Sequence, residues 1–181
     1  MSLFTAVDTI DVRFPTSENL DGSDAMNPDP DYSAAYVIIR TNQPGDVEGH
    51  GFVFTIGRGN EVEIAAIEAA GHHILGRDVE QTLADMGQTS RTLLHDSQLR
   101  WLGPEKGVMH MAIGAIINAL WDLKAKREGV PLWRLLAEMS PEETVSLIDF
   151  RYLTDVLSEE DALEILRRGQ EGKQERIETL L

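Results

Sequence analysis

One stretch limits what this chain can fold into. From Val108 to Leu123 (VMHMAIGAIINALWDL) almost every position is apolar or small. Wound as a helix, it is apolar on all faces, and such a helix belongs inside a domain rather than on its surface. Its ends are marked. Gly103 and Pro104 suit an N-cap and first helical position, with Glu105 at the positive end of the dipole. Lys124, Lys126 and Arg127 fill the last turns, and Gly129 is placed to close the helix in the left-handed region. Ala112, Gly114, Ala115 and Ala119 leave grooves for a neighbouring backbone. The apolar run is too short, and its end too polar, for a membrane span.

A chain of 181 residues, 42% of them hydrophobic, can bury a real core around that helix. A net charge of −15 argues against nucleic acid and anionic membranes as partners, because both need clustered Lys and Arg. There are no cysteines, which removes disulfides, thiolate zinc sites and a cysteine nucleophile. The start, MSLFTAVDTIDVRF, lacks a basic stretch followed by a long apolar run, so no secretory signal is expected and the cytoplasm is the expected location.

Taken in order, residues 3–14 read as a strand with Phe4, Ala6, Ile10, Val12 and Phe14 on one side, stopped by Pro15. Residues 16–31 are rich in Asp, Asn, Ser, Gly and Pro and form a long loop, either a solvated acidic connection or a functional segment. YSAAYVIIRT (32–41) and EGHGFVFTI (48–56) are further strands, giving a three-stranded antiparallel meander, with Gly49 and Gly51 marking a bulge or a close backbone contact. Asn60 is expected to cap the next helix with Glu63 three residues on, and Val62, Ala66, Ile67, Ala69, Ala70, Ile74 and Leu75 form its buried side. A helix is expected over 79–95 and a short one over 131–139. Ser140-Pro141-Glu142-Glu143 is a cap, Val145–Leu153 alternates like a strand, and a helix runs from Ser158 to about Arg168. Residues 170–181 have helical propensity. The five histidines form no H-E-x-x-H pair, and adjacent His72 and His73 on a helix point about 100° apart. A structural role is expected for each of them. Gly57-Arg58-Gly59 lacks the third glycine of a dinucleotide fingerprint, and no G-x-S-x-G is present.

Residues 117–136 carry Trp121, Asp122, Lys126, Gly129, Pro131, Leu132, Trp133, Leu135 and Leu136 in a WD-x-x-x-K-x-x-G-x-P-L-W-x-L-L pattern. This resembles the enolase superfamily, in particular its mandelate racemase and muconate lactonizing group. Residues 14–41, 51–60, 99–112 and 148–157 resemble the L-fuconate dehydratases of that superfamily. The resemblance implies an α+β capping domain over residues 1–140, with the meander packed on a helical bundle. Residues 141–181 are then a strand/helix extension leading toward a (β/α) barrel that these residues do not include. The chemistry implied is Mg²⁺-dependent dehydration of a sugar acid, L-fuconate by this resemblance. A base removes the proton beside the carboxylate, the metal stabilises the enediolate, and the 3-hydroxyl departs.

In the family the base, acid and metal ligands sit on the barrel, and no position here matches their motifs. No catalytic or metal residue is therefore assigned, and the 181 residues alone are expected to be inactive. By resemblance the 16–31 loop is a lid over the barrel mouth. Gly22 admits close backbone approach, Ser23 and Asp24 offer hydrogen bonds to sugar hydroxyls, and Met26 adapts its shape. Tyr32 stands at the loop-to-strand junction, where its hydroxyl is expected to reach the same ligand, and Arg58, beside a helix start, is the candidate for a substrate carboxylate. The expected partners are the sugar acid, a barrel in cis or in trans, and further copies of the chain in a homo-oligomer. A non-catalytic binding module is the alternative, as is a subunit that assembles with a separate barrel chain.

Overall fold

In the computed structural model, which describes residues 1–179, three strands form the expected meander: β1 (Phe4–Phe14), β2 (Tyr32–Thr41) and β3 (Gly49–Ile56), antiparallel and in that spatial order. Alternation sets its two faces. Ser33, Ala35, Val37 and Ile39 of β2 are buried under the helices. On the other face Phe14 pairs with Tyr32 and Ile10 with Tyr36, and Tyr36 pairs on with Phe52. That face is open, and Phe14, Phe52, Phe54 and Ile56 on it are each about half exposed. β1 departs from expectation. A register shift between Phe4 and Ala6 turns the strand over, so Phe4 enters the core while Ile10 and Phe14 lie on the open face.

The covered face meets the central helix, α4 (Gly107–Glu128), in which Ala112, Ile116, Ala119, Leu120 and Leu123 have no exposed surface. Gly129 ends it with φ 70°, as its sequence requires. Its start is later than expected. Lys106, not Gly103, is the N-cap, and Glu105 instead pairs with Arg151 and accepts a hydrogen bond from Tyr152 Oη at 3.1 Å. β3 lies directly on α4, with Gly49 over the Ala119 carbonyl and Gly51 over that of Ala115. The strand glycines therefore mark close backbone approach. Gly114, grouped with the groove residues in the sequence, has open space around it.

α1 (Asn60–Gly71) packs beside α4, with Ile67 and Ala70 inward along with Ile74 beyond its end, but Val62 and Leu75 are exposed. Its N-cap is Gly59, with no side-chain cap. Asn60 and Glu63 are buried instead of forming a capping box. The single helix expected over 79–95 is two, α2 (Val79–Ala84) and α3 (Met86–Leu94), because Asp85 breaks the chain and caps α3 through the Gln88 N–H at 2.8 Å. α5 (Leu132–Glu138) follows as expected.

The alternation over 145–153 does not make a strand. Ser140 and Glu143 form a complete capping box for α6 (Pro141–Ser146), and a 3₁₀ turn follows at Phe150–Tyr152. Val145 and Phe150 then bury with Ala162 of α7 (Glu159–Arg168) in a small second cluster. α8 (Lys173–Glu178) is the last element, and the end of the 170–181 helix expected from sequence lies outside the described residues. Among the described residues no helix is long and apolar enough to cross a membrane.

Candidate functional site

At one end of the sheet, the close of β1, the start of β2 and the turn after β3 surround a cleft of about 180 Å³. Arg13, Phe14, Asp31, Tyr32, Gly57 and Arg58 line it. The base of the 16–31 loop is pinned here. Thr16 Oγ1 donates to Pro30 O at 2.9 Å and accepts from the Tyr32 N–H at 3.0 Å. Asp31 Oδ1 accepts from Ser17 Oγ at 2.5 Å and from the Ser17 N–H at 3.2 Å, and the Asp31 carbonyl accepts from the Gly57 N–H at 2.9 Å. The bonds from Ser17, side chain first and then backbone, hold the Asp31 carboxyl below its ordinary range, and the field of Arg58 acts in the same direction.

The structure brings Tyr32 and Arg58 to this cleft and leaves Ser23, Asp24 and Met26 on the exposed loop tip. Tyr32 Oη donates to the Gly22 carbonyl at 2.9 Å, so the hydroxyl read from sequence as a ligand contact ties the loop tip to the strand. Gly22 has φ 72°, and a Cβ there would run into the Tyr32 hydroxyl. Its role in the fold is thus a left-handed turn under an aromatic ring. Asp24 Oδ1 accepts the N–H groups of Met26 at 2.7 Å and Asn27 at 2.8 Å. Those backbone bonds, Asn27's foremost, lower its pKa. Met26 is 87% exposed. Leu20, at φ 57°, adds a strained residue to the same loop.

Sequence reasoning missed the polar floor beneath the cleft. Ser33 Oγ and Thr55 Oγ1 are 2.5 Å apart, and Asn60 Nδ2 donates to Asp11 Oδ1 at 2.6 Å. Arg13 bridges Asp11 and Glu61 at 2.8 and 2.9 Å. Arg13 is therefore matched by two carboxylates, whereas Arg58 is exposed and forms no ion pair among the described residues. Polar residues in register across three elements were the available signal.

The tie from Tyr32 to Gly22 makes a prediction. Tyr32→Phe removes one partly exposed hydrogen bond, so overall stability falls by only about 1 kcal/mol. The loop tip should nevertheless loosen, with faster amide exchange confined to residues near Gly22 and Asp24. Unchanged exchange there would show that the tyrosine does not hold the tip.

The magnesium implied by resemblance has no fitting donor set here. The one group with metal-ligand spacing among the described residues is His72, His73 and Asp96. Its imidazoles do not suit a hard cation that takes oxygen ligands.

Comparison with known proteins agrees with the fold. The mandelate racemase / muconate lactonizing enzyme N-terminal domain matches residues 28–137. Human mitochondrial enolase superfamily member 1 is 55% identical over 171 residues, which is 94% of this chain and 39% of the relative. Its crystal structure superposes with a TM-score of 0.94 over 99% of this chain and 41% of its own. An L-galactonate dehydratase from Hypocrea jecorina is 53% identical over 94% of this chain and 38% of its own length. A racemase from Streptomyces coelicolor A3(2), solved with bound magnesium, is 28% identical with a TM-score of 0.60, covering 77% of this chain and 36% of its own. The chain thus spans about two fifths of the length of these curated relatives. A three-stranded meander on an all-apolar central helix, with the domain match covering β2, β3 and that helix, shows that the chain belongs to the mandelate racemase / muconate lactonizing enzyme group of the enolase superfamily, as an N-terminal domain.

Proposed function

We propose that these residues are the capping, substrate-lid portion of a Mg²⁺-dependent sugar-acid dehydratase whose barrel lies outside them, in cis or in a separate chain. The observation that carries this is the 53% identity to an L-galactonate dehydratase across 94% of the chain. The geometry supports it, because the 16–31 loop and the Gly57–Gly59 turn converge on one cleft with a fixed base and an exposed tip. The apolar open sheet face also supports assembly, in a homo-oligomer or against a barrel, since large bare apolar patches are uncommon on monomers.

Arg58, exposed and without an ion-pair partner among the described residues, is our candidate for the substrate carboxylate. Ser23 and Asp24 Oδ2, which accepts only the long 3.5 Å contact from Asn27 Nδ2, are the candidates for sugar hydroxyls, Met26 covers the ligand, and Gly22 and Tyr32 position that tip. L-galactonate and L-fuconate are the substrates to try first. The magnesium of the whole enzyme is supported by the Streptomyces racemase, and its ligands lie outside this chain. The expected location is the cytoplasm.

The test is a dehydration assay, read as 2-keto acid formation with Mg²⁺ present, on the 181-residue chain and on a longer product that joins it to a barrel, in cis or by mixing with a separate barrel chain. The short chain should show no turnover above background, and the longer product should dehydrate a sugar acid. In that product Arg58→Ala should raise KM far more than it lowers kcat. Turnover by the short chain, or inertness of the longer product toward every sugar acid, would overturn the reading.

A further inference from the structure

α1 ends at Gly71, and the chain turns immediately through His72 and His73. Continued as a helix, the two side chains would diverge by about 100°. The chain instead tightens into turns, with the His73 N–H on the Ala70 carbonyl at 3.1 Å, and the two rings lie 4.0 Å apart, centroid to centroid, tilted by 36°. Asp96, in the segment after α3, faces them both. His73 Nε2 is 2.7 Å from Asp96 Oδ2, and His72 Nε2 is 3.8 Å from the same oxygen. One donor atom from each residue lies within 4.8 Å of the others.

The supporting contacts arrange these donors further. His72 Nδ1 is hydrogen-bonded to the Ala69 carbonyl, which can only accept, so the proton sits on Nδ1 and the lone pair on Nε2. Asp96 Oδ1 accepts the Gln98 N–H at 2.7 Å, which fixes the carboxylate. The Asp96 side chain is 7% exposed and that of His72 is 59% exposed, giving an anchored floor with one side open for entry. Asp96 has no Lys or Arg partner among the described residues.

We propose that His72, His73 and Asp96 bind a divalent ion of the Zn²⁺ class, which ties the end of α1 to the segment following α3. Two imidazoles and a carboxylate suit Zn²⁺ rather than Mg²⁺ or Ca²⁺. Zinc bonds of about 2.0–2.2 Å place tetrahedral ligand atoms about 3.3 Å apart. The observed 2.7 and 3.8 Å separations from Asp96 bracket that spacing, and all three donor atoms lie within 4.8 Å of one another, so ring rotations toward the centre close the site. On binding, the ion takes the place of the proton between His73 Nε2 and Asp96; a neutral His73 regains a proton on Nδ1 from water, and a charged one releases its Nε2 proton to solvent. Water fills the position that the protein leaves open.

The experiment uses the untagged chain. At free Zn²⁺ about 100 times Kd, Tm should rise by about 5–10 °C, and Mg²⁺ should leave it unchanged. Co²⁺ in place of Zn²⁺ should give the visible d–d absorption of a nitrogen-coordinated ion. His72→Ala should lose both signals, and its exposed side chain leaves the fold intact. Asp96→Asn should weaken both, and His50→Ala should retain both. No Tm rise and no Co²⁺ band would leave only a hydrogen-bonded trio and overturn the proposal, as would full retention of both signals in His72→Ala.

Discussion

Gly51→Val should leave the chain largely unfolded, and Gly51→Ala should already lose about 3 kcal/mol or more, the upper end for overpacking. A Cβ on Gly51 would sit under 3.0 Å from both the Ala115 carbonyl oxygen and the Ala119 nitrogen. Those atoms belong to the α4 backbone and to its hydrogen-bond ladder, so no rotamer change relieves the collision. β3 would have to lift off the helix, and Val37, Val53, Ile116 and Leu120 would lose contact in the same core. A loss of that size is a large share of the roughly 5–15 kcal/mol that holds a domain together. The usual gain from replacing glycine in a strand, about 0.5–1 kcal/mol, is too small to offset it. Two controls separate this account from a general intolerance of substitution. Ala115→Gly should not rescue Gly51→Ala, because the obstructing atom is main-chain. Gly114→Ala, on the same helix with open space around it, should stabilise by up to about 1 kcal/mol. Urea midpoints followed by far-UV circular dichroism decide the matter, and a wild-type midpoint for Gly51→Ala would sink it.

That contact shows how much of the fold was legible. Glycines at 49 and 51 were read as a bulge or a close backbone contact, and Ala115 and Ala119 separately as groove residues; the structure joins the two readings. The meander, the burial of α4 and its Gly129 stop followed from period and cap chemistry alone. The failures have local causes. The alternation of β1 was real, but the register shift after Phe4 exchanged its faces, and no single strand encodes that. The alternation over 145–153 lost to a capping box whose helix buries Val145 against Phe150 and Ala162. At the candidate site, Arg58 and Tyr32 were singled out because a helix start and a loop flank them, and both line the cleft. That Tyr32 and Asp24 spend hydrogen bonds on the loop itself depends on the loop's path, which its composition does not fix. His72 and His73 were read as diverging on a helix, whereas α1 ends at Gly71 and side-chain rotamers, which backbone periodicity does not fix, bring the rings together.

Glu63 was likewise read as the second half of a capping box. Its burial gives the second large effect. It lies on the inward stripe of α1 between Asn60 and Ile67, only 2% exposed, and its Oε1 has no hydrogen-bond partner. Burial alone pushes its pKa from 4.5 up to about 7. The folded state therefore holds a proton between those values that the unfolded chain has released. Its contribution to stability is complete on the acid side, falls as pH rises through that window, and settles at a constant penalty above it. A shift of that size corresponds to about 3 kcal/mol. Glu63→Gln keeps the shape without the charge, so it should match wild type near about pH 5 and exceed it by about 3 kcal/mol near about pH 8. For a domain of this length the gap is a Tm difference of about 6–12 °C. Carboxyls held low by hydrogen bonds, among them Asp31 and Glu143, act in the opposite sense, contributing above their ordinary values and losing that contribution on acidification. Their window lies below that of Glu63, so subtracting the Gln profile from wild type isolates the buried group. A difference that stays flat from about pH 5 to about pH 8 would mean that Glu63 has found a partner or water in solution.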